Sequence, residues 1–324
     1  MDTRCYVVTC IIVLLHSCYT APIHKKAKEH NLSAVRLIEE SKFELAERHL
    51  ELALEYNKNY AEAYNNLGVI YLKQNRLEKA EKFFLLAIEY NSDFAEAHNN
   101  LGYIYLVNND FRRALQRFKS ALSIDPAFVN ARLNLARTYI LMGEHKKAEP
   151  ELLKLKILQS SEEIYWLLVR IYLKMERISD SFSLIEEMMS DERMKNNAIY
   201  LKGFVNLNLN RCSDAIDDFE KVQEFFLNNI EFRVNQAAAY ICSKEYLKAE
   251  IILKQVLNIY ANEPSALFNL GRIEYERKNF YSAEEYFRRS YEAGFDLACP
   301  YLMDTLFMIG DKEGLLRVSS KCKK

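Results

Sequence analysis

The sequence predicts an all-α fold, a superhelical solenoid of about eight helix-turn-helix repeats closed by a C-terminal capping segment, and three observations carry that expectation. Among 324 residues there are only eight glycines and five prolines, too few for the turns of a sheet-rich fold of this length. Half of the residues are hydrophobic, enough for a core, and 27% are charged, too many for a membrane-embedded body. The third observation is an internal period. Gly68, Gly102, Ala136, Val169, Gly203, Ala237 and Gly271 follow one another at steps of 34 residues, with a single step of 33 before Val169. Ala46, Ala80, Ala114, Ala148, Ser181, Ala215, Ala249 and Ala283 keep the same steps, including the same 33. Two series in step mark stacked copies of one supersecondary unit.

In chain order, residues 6–15 form an apolar run after Met-Asp-Thr-Arg, too short to span a bilayer and of a length that suits a signal peptide. Cleavage after Ala21 is disfavoured by Pro22 and the bulky Tyr19. Leu15-His16-Ser17-Cys18 fits better and resembles a bacterial lipobox, with His16 departing from the usual small residue. Residues 1–17 are therefore expected to be a signal peptide and Cys18 the lipidated first residue. The alternatives are a signal anchor and ordinary secretion. Lys25, Lys26 and Lys28 follow the apolar run rather than precede it, which counts against export. Residues 18–26 form a basic linker.

Residues 27–297 hold the eight repeats, which begin near Ala27, Ala61, Ala95, Val129, Glu162, Asn196, Ile230 and Pro264, and residues 298–324 form the helical cap. The best copies are AEAYNNLGVIYLKQNRLEKAEKFFLLAIEYNS from Ala61 and AEAHNNLGYIYLVNNDFRRALQRFKSALSIDP from Ala95. They resemble the tetratricopeptide repeat (TPR): a large residue, Leu-Gly, Tyr, then Ala, an aromatic, Ala and Pro. The spacing has a steric reading: Gly68, Gly102 and Ala136 are small where the two helices of a repeat cross, and Ala80 and Ala114 answer them from the second helix. Pro150 falls inside a second helix and removes one backbone bond there, and the short repeat follows directly. A bend dividing the array is expected near 150–162.

The resemblance implies that the first helix of each repeat lines a concave face on which protein ligands lie. The sixth repeat position reads Leu32, Asn66, Asn100, Asn134, Leu167, Leu201, Asn235 and Asn269. An amide offers both donor and acceptor to an extended peptide backbone, and arrays resembling that of the O-GlcNAc transferase bind peptides in this way. Equally, these asparagines bond a neighbouring helix. Where the ladder breaks, Trp166, Tyr200 and Phe204 occupy groove-facing positions, with Arg137 and Arg170 equivalent in adjacent repeats and Phe268 with Arg272 further on. Aromatic residues and Arg are the composition of binding hot spots, although aromatics at helical spacing also build cores. The carboxylate clamp of chaperone-binding repeats needs Lys at the fifth position. Here that position reads Asn31, Asn65, Asn99, Leu133, Trp166, Tyr200, Val234 and Phe268.

A net charge of -1 argues against nucleic acid as ligand. His30, His98, His49 and His145 have no metal-ligand partner at helical spacing, and there is no phosphate loop or nucleophile elbow. Glu78, Glu81, Asp217 and Asp218 read as solvated helix faces. No catalytic constellation, metal, cofactor or small-molecule substrate is expected. The seven cysteines show no CxxC spacing, so most read as small buried or idle thiols, with Cys299 and Cys322 placed to pair across the helices of the cap. The expected function is a protein-binding scaffold or adaptor, exported and membrane-tethered at the outer membrane or periplasmic face of a bacterial envelope, resembling TPR lipoproteins such as type IV pilus pilotins and NlpI. Its partner would be another protein held as an extended peptide. The alternatives are a cytoplasmic or signal-anchored co-factor and the regulatory arm of an enzyme.

Overall fold

The computed structural model describes residues 24–322. The expected signal peptide, the lipobox and Cys18 lie outside the described residues, as do Cys5 and Cys10. Among the described residues the secondary structure is helical throughout. The chain divides into two compact units, Met1–Met142 and Gly143–Lys324. The first holds α1 (Lys25–Glu39), α2 (Phe43–Tyr56), α3 (Ala61–Lys73), α4 (Leu77–Tyr90), α5 (Ala95–Val107), α6 (Phe111–Ile124) and α7 (Val129–Leu141). The second holds α8 (His145–Leu158), α9 (Glu162–Lys174), α10 (Ile178–Met189), α11 (Lys195–Asn208), α12 (Cys212–Val222), α13 (Ile230–Cys242), α14 (Tyr246–Ile259), α15 (Pro264–Glu276), α16 (Phe280–Glu292), α17 (Ala298–Ile309) and α18 (Lys312–Lys321). Six of the eight expected repeat starts coincide with the first residue of a helix; α1 and α11 begin slightly earlier, at Lys25 and Lys195. Helix α8 runs from His145 to Leu158 with Pro150 inside it.

The turns inside the repeats share one backbone device. Ser41, Asn75, Asn109, Glu176, Asn210, Lys244 and Lys278 all adopt positive φ between 57° and 63°, and Gly143 takes that place with φ 72°. After each of the seven non-glycine residues the next N–H reaches back five positions, as Arg76 N–H to the Tyr71 carbonyl (2.8 Å) and Asp110 N–H to that of Tyr105 (2.8 Å). This is the Schellman ending, which satisfies carbonyls that a helix terminus leaves open.

Small and large residues answer each other within a repeat. A Cβ built on Gly68 would lie 2.5 Å from the Phe84 ring, on Gly102 2.7 Å from Phe118, on Gly203 2.6 Å from Phe219, and on Gly271 2.6 Å from Phe287. Those four phenylalanines are completely buried. Where the first helix carries Ala instead, the second carries Leu: Ala34 and Leu50 share one core cluster, Ala237 and Leu253 another. Val169 of α9 has Ile185 of α10 at the same register, both buried. Conserving summed volume keeps the helix pair at one separation while its residues change.

Successive repeats are tied by polar contacts as well. The Tyr71 hydroxyl of α3 donates to Glu47 of α2, a bond that with burial pushes the phenol up to about 12. The Tyr240 hydroxyl donates to Glu220 at 2.7 Å in the same relation. Asp218 corrects the expectation of a solvated face. It is 3% exposed, accepts from Asn206 Nδ2 at 2.9 Å, and has Lys221 and Lys202 within 3.4 and 3.6 Å.

The four described cysteines are all paired: the Cys299–Cys322 bond of the cap is as expected, whereas Cys212 and Cys242, expected to be idle thiols, form a second disulfide. Cys212 and Cys242 form a disulfide (Cα–Cα 5.6 Å) between the start of α12 and the end of α13, and Cys299 and Cys322 (6.1 Å) join α17 to the end of α18. Both lie in the second unit.

Candidate partner-binding face

The asparagine ladder lies on the first helices, and its geometry is a register between neighbours. Asn66 Nδ2 donates to Asn31 Oδ1 (2.8 Å), Asn100 Nδ2 to Asn65 Oδ1 (3.0 Å), and Asn134 Nδ2 to Asn99 Oδ1 (3.0 Å). Each sixth-position amide thus donates to the fifth position of the preceding repeat, 35 residues earlier. In the second unit Asn235 Nδ2 donates to the Tyr200 hydroxyl (3.0 Å), with Tyr200 standing where the earlier repeats carry Asn. Asn269 turns onto its own helix, donating to the Ser265 carbonyl (3.0 Å) and accepting from Arg272 Nη1 (3.2 Å). The acceptors Asn31, Asn65 and Asn99, all buried, are site residues that the sequence reading passed over. Their signal was present. Fifth and following sixth positions are both polar in Asn31/Asn66, Asn65/Asn100, Asn99/Asn134 and Tyr200/Asn235, and both apolar in Leu133/Leu167 and Trp166/Leu201.

The aromatic group separates into core and surface. Tyr200 is 3% exposed, packed edge-on against Phe219 and Phe232, and burial raises its phenol above the ordinary range. It is a core residue rather than a groove-facing anchor, because a ring in that position fills the space between α11, α12 and α13. Trp166 is half-buried, with its ring edge-on to Tyr200 (centroids 4.8 Å) and to Phe204 (5.1 Å). Phe204 is likewise half-buried, and Arg170 stands exposed one turn beyond Trp166 on α9. The structure therefore brings Trp166 and Phe204 together over a buried Tyr200, with an exposed guanidinium on the same helix as the indole. Such a surface offers an apolar ledge beside a planar cation. Arg137 is exposed on α7 in the first unit. Phe268 on α15 packs with Phe295 and Tyr301 in the cap core, and its neighbour Arg272 is half-buried.

Histidine chemistry is concentrated in the first repeat. His30 Nδ1 faces His49 Nδ1 at 3.1 Å, and His24 and His30 both stack on Tyr56. His98 is buried with its Nε2 3.0 Å from the Ser92 carbonyl, and burial lowers its basicity. Among the described residues no group of three or more His, Cys, Asp or Glu is placed to hold a metal ion, and no helix is long and apolar enough to cross a membrane.

Comparison with known proteins agrees with this geometry. Family models described as tetratricopeptide repeat match residues 61–94, 83–116 and 105–159. No curated protein matches the chain by sequence. Among solved structures, PilF of Pseudomonas aeruginosa is similar with a TM-score of 0.54 at 16% identity, over 65% of this chain and 97% of that one. PilW, described as a widely conserved type IV pilus biogenesis factor, is similar with a TM-score of 0.55 at 19% identity, over 65% and 98%. A chain of the Cut9–Hcn1 hetero-tetramer of the APC/C gives 0.56 at 18% identity, over 85% of this chain and 55% of that one. At these identities the likeness is one of fold.

Proposed function

We propose that this tetratricopeptide-repeat protein, an all-α TPR solenoid by fold and a protein-interaction scaffold by class, is an exported, membrane-tethered adaptor that holds an extended segment of a partner along its first-helix face. The observation that carries the binding reading is the half-buried pair Trp166 and Phe204 with exposed Arg170 beside it on α9. Aromatic and Arg anchors of this kind dominate the energetics of interfaces. The ladder asparagines serve the solenoid first, since Asn66, Asn100, Asn134 and Asn235 each donate to the preceding repeat and Asn269 to its own helix; their remaining lone pairs and protons are what a peptide backbone would meet.

Two features support export. The four body cysteines are joined in two disulfides, which persist in oxidising compartments and are rare where glutathione keeps thiols reduced. The Leu15–Cys18 tetrad supplies a route to the membrane, because the several acyl chains of a processed lipobox cysteine anchor durably where one chain is marginal. Assembly of an envelope machine such as a pilus is the process we infer, from the fold shared with PilF and the pilus biogenesis factor PilW.

The binding reading is tested by cross-linking in cells, identifying the attached protein, and titrating it with variants. Trp166→Ala or Arg170→Ala should weaken binding by on the order of 2 kcal/mol. Arg170 is the cleaner probe, since an exposed side chain changes stability little. Full affinity in a folded Arg170→Ala/Trp166→Ala variant would remove this face from consideration. For the tether, mass spectrometry of the mature N-terminus should find an acylated Cys18, and Cys18→Ser should shift the protein from the detergent phase to the aqueous one. An unmodified N-terminus at another residue would end that part of the proposal.

A further inference from the structure

The second helix of the sixth repeat is cut short. Helix α12 ends at Val222 after 11 residues, where its counterpart α14 runs for 14, and the chain continues as a 3-10 segment, Gln223–Phe226, before α13 begins at Ile230. A helix that tightens in this way marks a local departure with a packing or functional cause. Beside it the outer face of α14 is left uncovered. Leu247, Ile251 and Ile259 are 70%, 51% and 74% exposed, and Leu227, which follows the 3-10 segment and lines cavities with Ile251 and Ile259, is exposed too.

Two cavities, of about 260 and 200 Å³, open on this surface and share the walls Leu227 and Arg233. The first also takes in Tyr240, Lys248 and Ile251, the second Ile230, Ile259 and Tyr260. Their linings contain two cations and no carboxylate. Lys248 is already paired with Glu245 at 2.7 Å. Arg233 is not matched in the same way. Its Nη2 donates to the amide oxygen of Gln255, while its Nε–H is buried with no acceptor. Nε–H and Nη2 form one edge of the guanidinium, the edge that a carboxylate meets with both oxygens at once. A single amide oxygen serves one of the two donors and leaves the other unsatisfied, which a folded protein tolerates only at a cost.

We infer that this surface between the 3-10 segment and α14 is a second docking site, and that its occupant is a peptide segment of a partner protein in which an Asp or Glu is flanked by bulky apolar residues. The carboxylate displaces Gln255 and takes the Nε/Nη2 edge of Arg233. The apolar side chains enter the two cavities on either side, against Ile251 and Ile259. Charge complementarity selects this occupant: among the described residues the acceptor that Arg233 meets, the Gln255 amide oxygen, is neutral, and no Asp or Glu lines the two cavities to repel a carboxylate. Trp166, Phe204 and Arg170 line neither cavity, and the inference stands whether or not the first-helix face binds anything.

The test is selection of random linear heptapeptides displayed on phage against the full chain, followed by fluorescence anisotropy of the enriched peptides after synthesis. The expected peptides carry one Asp or Glu between apolar residues. Arg233→Gln should weaken them at least tenfold, and Ile251→Glu, at an exposed position that leaves folding intact, should do the same. Exchanging the peptide's Glu for Gln should cost a similar factor against the wild type and nothing further against Arg233→Gln, while Arg170→Ala has no effect. The inference is overturned by no enrichment, by enriched peptides lacking a carboxylate, or by equal binding to Arg233→Gln. It is overturned equally if sedimentation shows a dimer that Ile251→Glu dissociates, since the face would then join two copies of this chain.

Discussion

Gly102 illustrates how much a single repeat position constrains. Its hydrogen in place of a methyl lets the Phe118 ring approach to where a Cβ would stand at 2.7 Å, so Gly102→Ala should destabilise by about 1–3 kcal/mol through overpacking. Phe118→Leu alone should also destabilise, because it leaves a void in a completely buried site. The two together recreate the Ala–Leu combination already found at Ala34/Leu50 and Ala237/Leu253, and should recover roughly 0.5–3 kcal/mol relative to the sum of the single losses. Denaturant titration of the four proteins measures the cycle; strict additivity would mean that the pair is not the unit of packing. The small half of this pairing was legible in the sequence, since Gly68, Gly102 and Ala136 announce a close crossing. Which ring fills the gap was visible only in the folded pair.

Among the helices, boundaries were legible and their endings less so. The repeat starts follow from the period, and six of them fall on the first residue of a helix. The left-handed residue that ends each first helix is carried by Asn at positions 75, 109 and 210, by Gly at 143, but by Ser at 41, Lys at 244 and 278 and Glu at 176, residues whose Cβ disfavours that backbone. Lys244→Gly and Lys278→Gly should each stabilise by about 0.5–1 kcal/mol, the relief at φ outweighing the added chain entropy of glycine. Asn75→Gly should change little, since Asn already tolerates this conformation. Thermal and urea midpoints decide the matter, and an unchanged or lower midpoint in both Lys variants would show that the turns hold no such strain. Pro150 sits inside a second helix, as the sequence reading has it, and α8 runs on through it to Leu158. Near the start of a helix a missing N–H costs one bond and leaves the rest of the ladder to form.

At the scale of the whole molecule, the second unit holds both disulfides, and their chemistry bears on where the protein folds. Peptide mapping of protein denatured without reductant should find no reactive thiol at Cys212, Cys242, Cys299 or Cys322. Cys212→Ser should cost on the order of 3 kcal/mol by releasing a loop of 30 residues in the unfolded chain, with Gly68–Phe84 packing in the first unit unaffected. Labelling of all four thiols would remove the support that the disulfides lend to export. By itself the sequence determined the helical class, the register of the repeats, the places where small residues admit a crossing, and the candidate anchors Trp166 and Arg170, because each is written in a period of one repeat and needs no knowledge of neighbours. Only the tertiary structure decided that Asn66, Asn100 and Asn134 donate to the preceding repeat, that Tyr200 and Asp218 are buried, and that Cys212 meets Cys242. The asparagine and cysteine pairings join residues 30–35 positions apart on different helices, and whether two such side chains meet depends on the rotation and offset between consecutive repeats, which a sequence period leaves open.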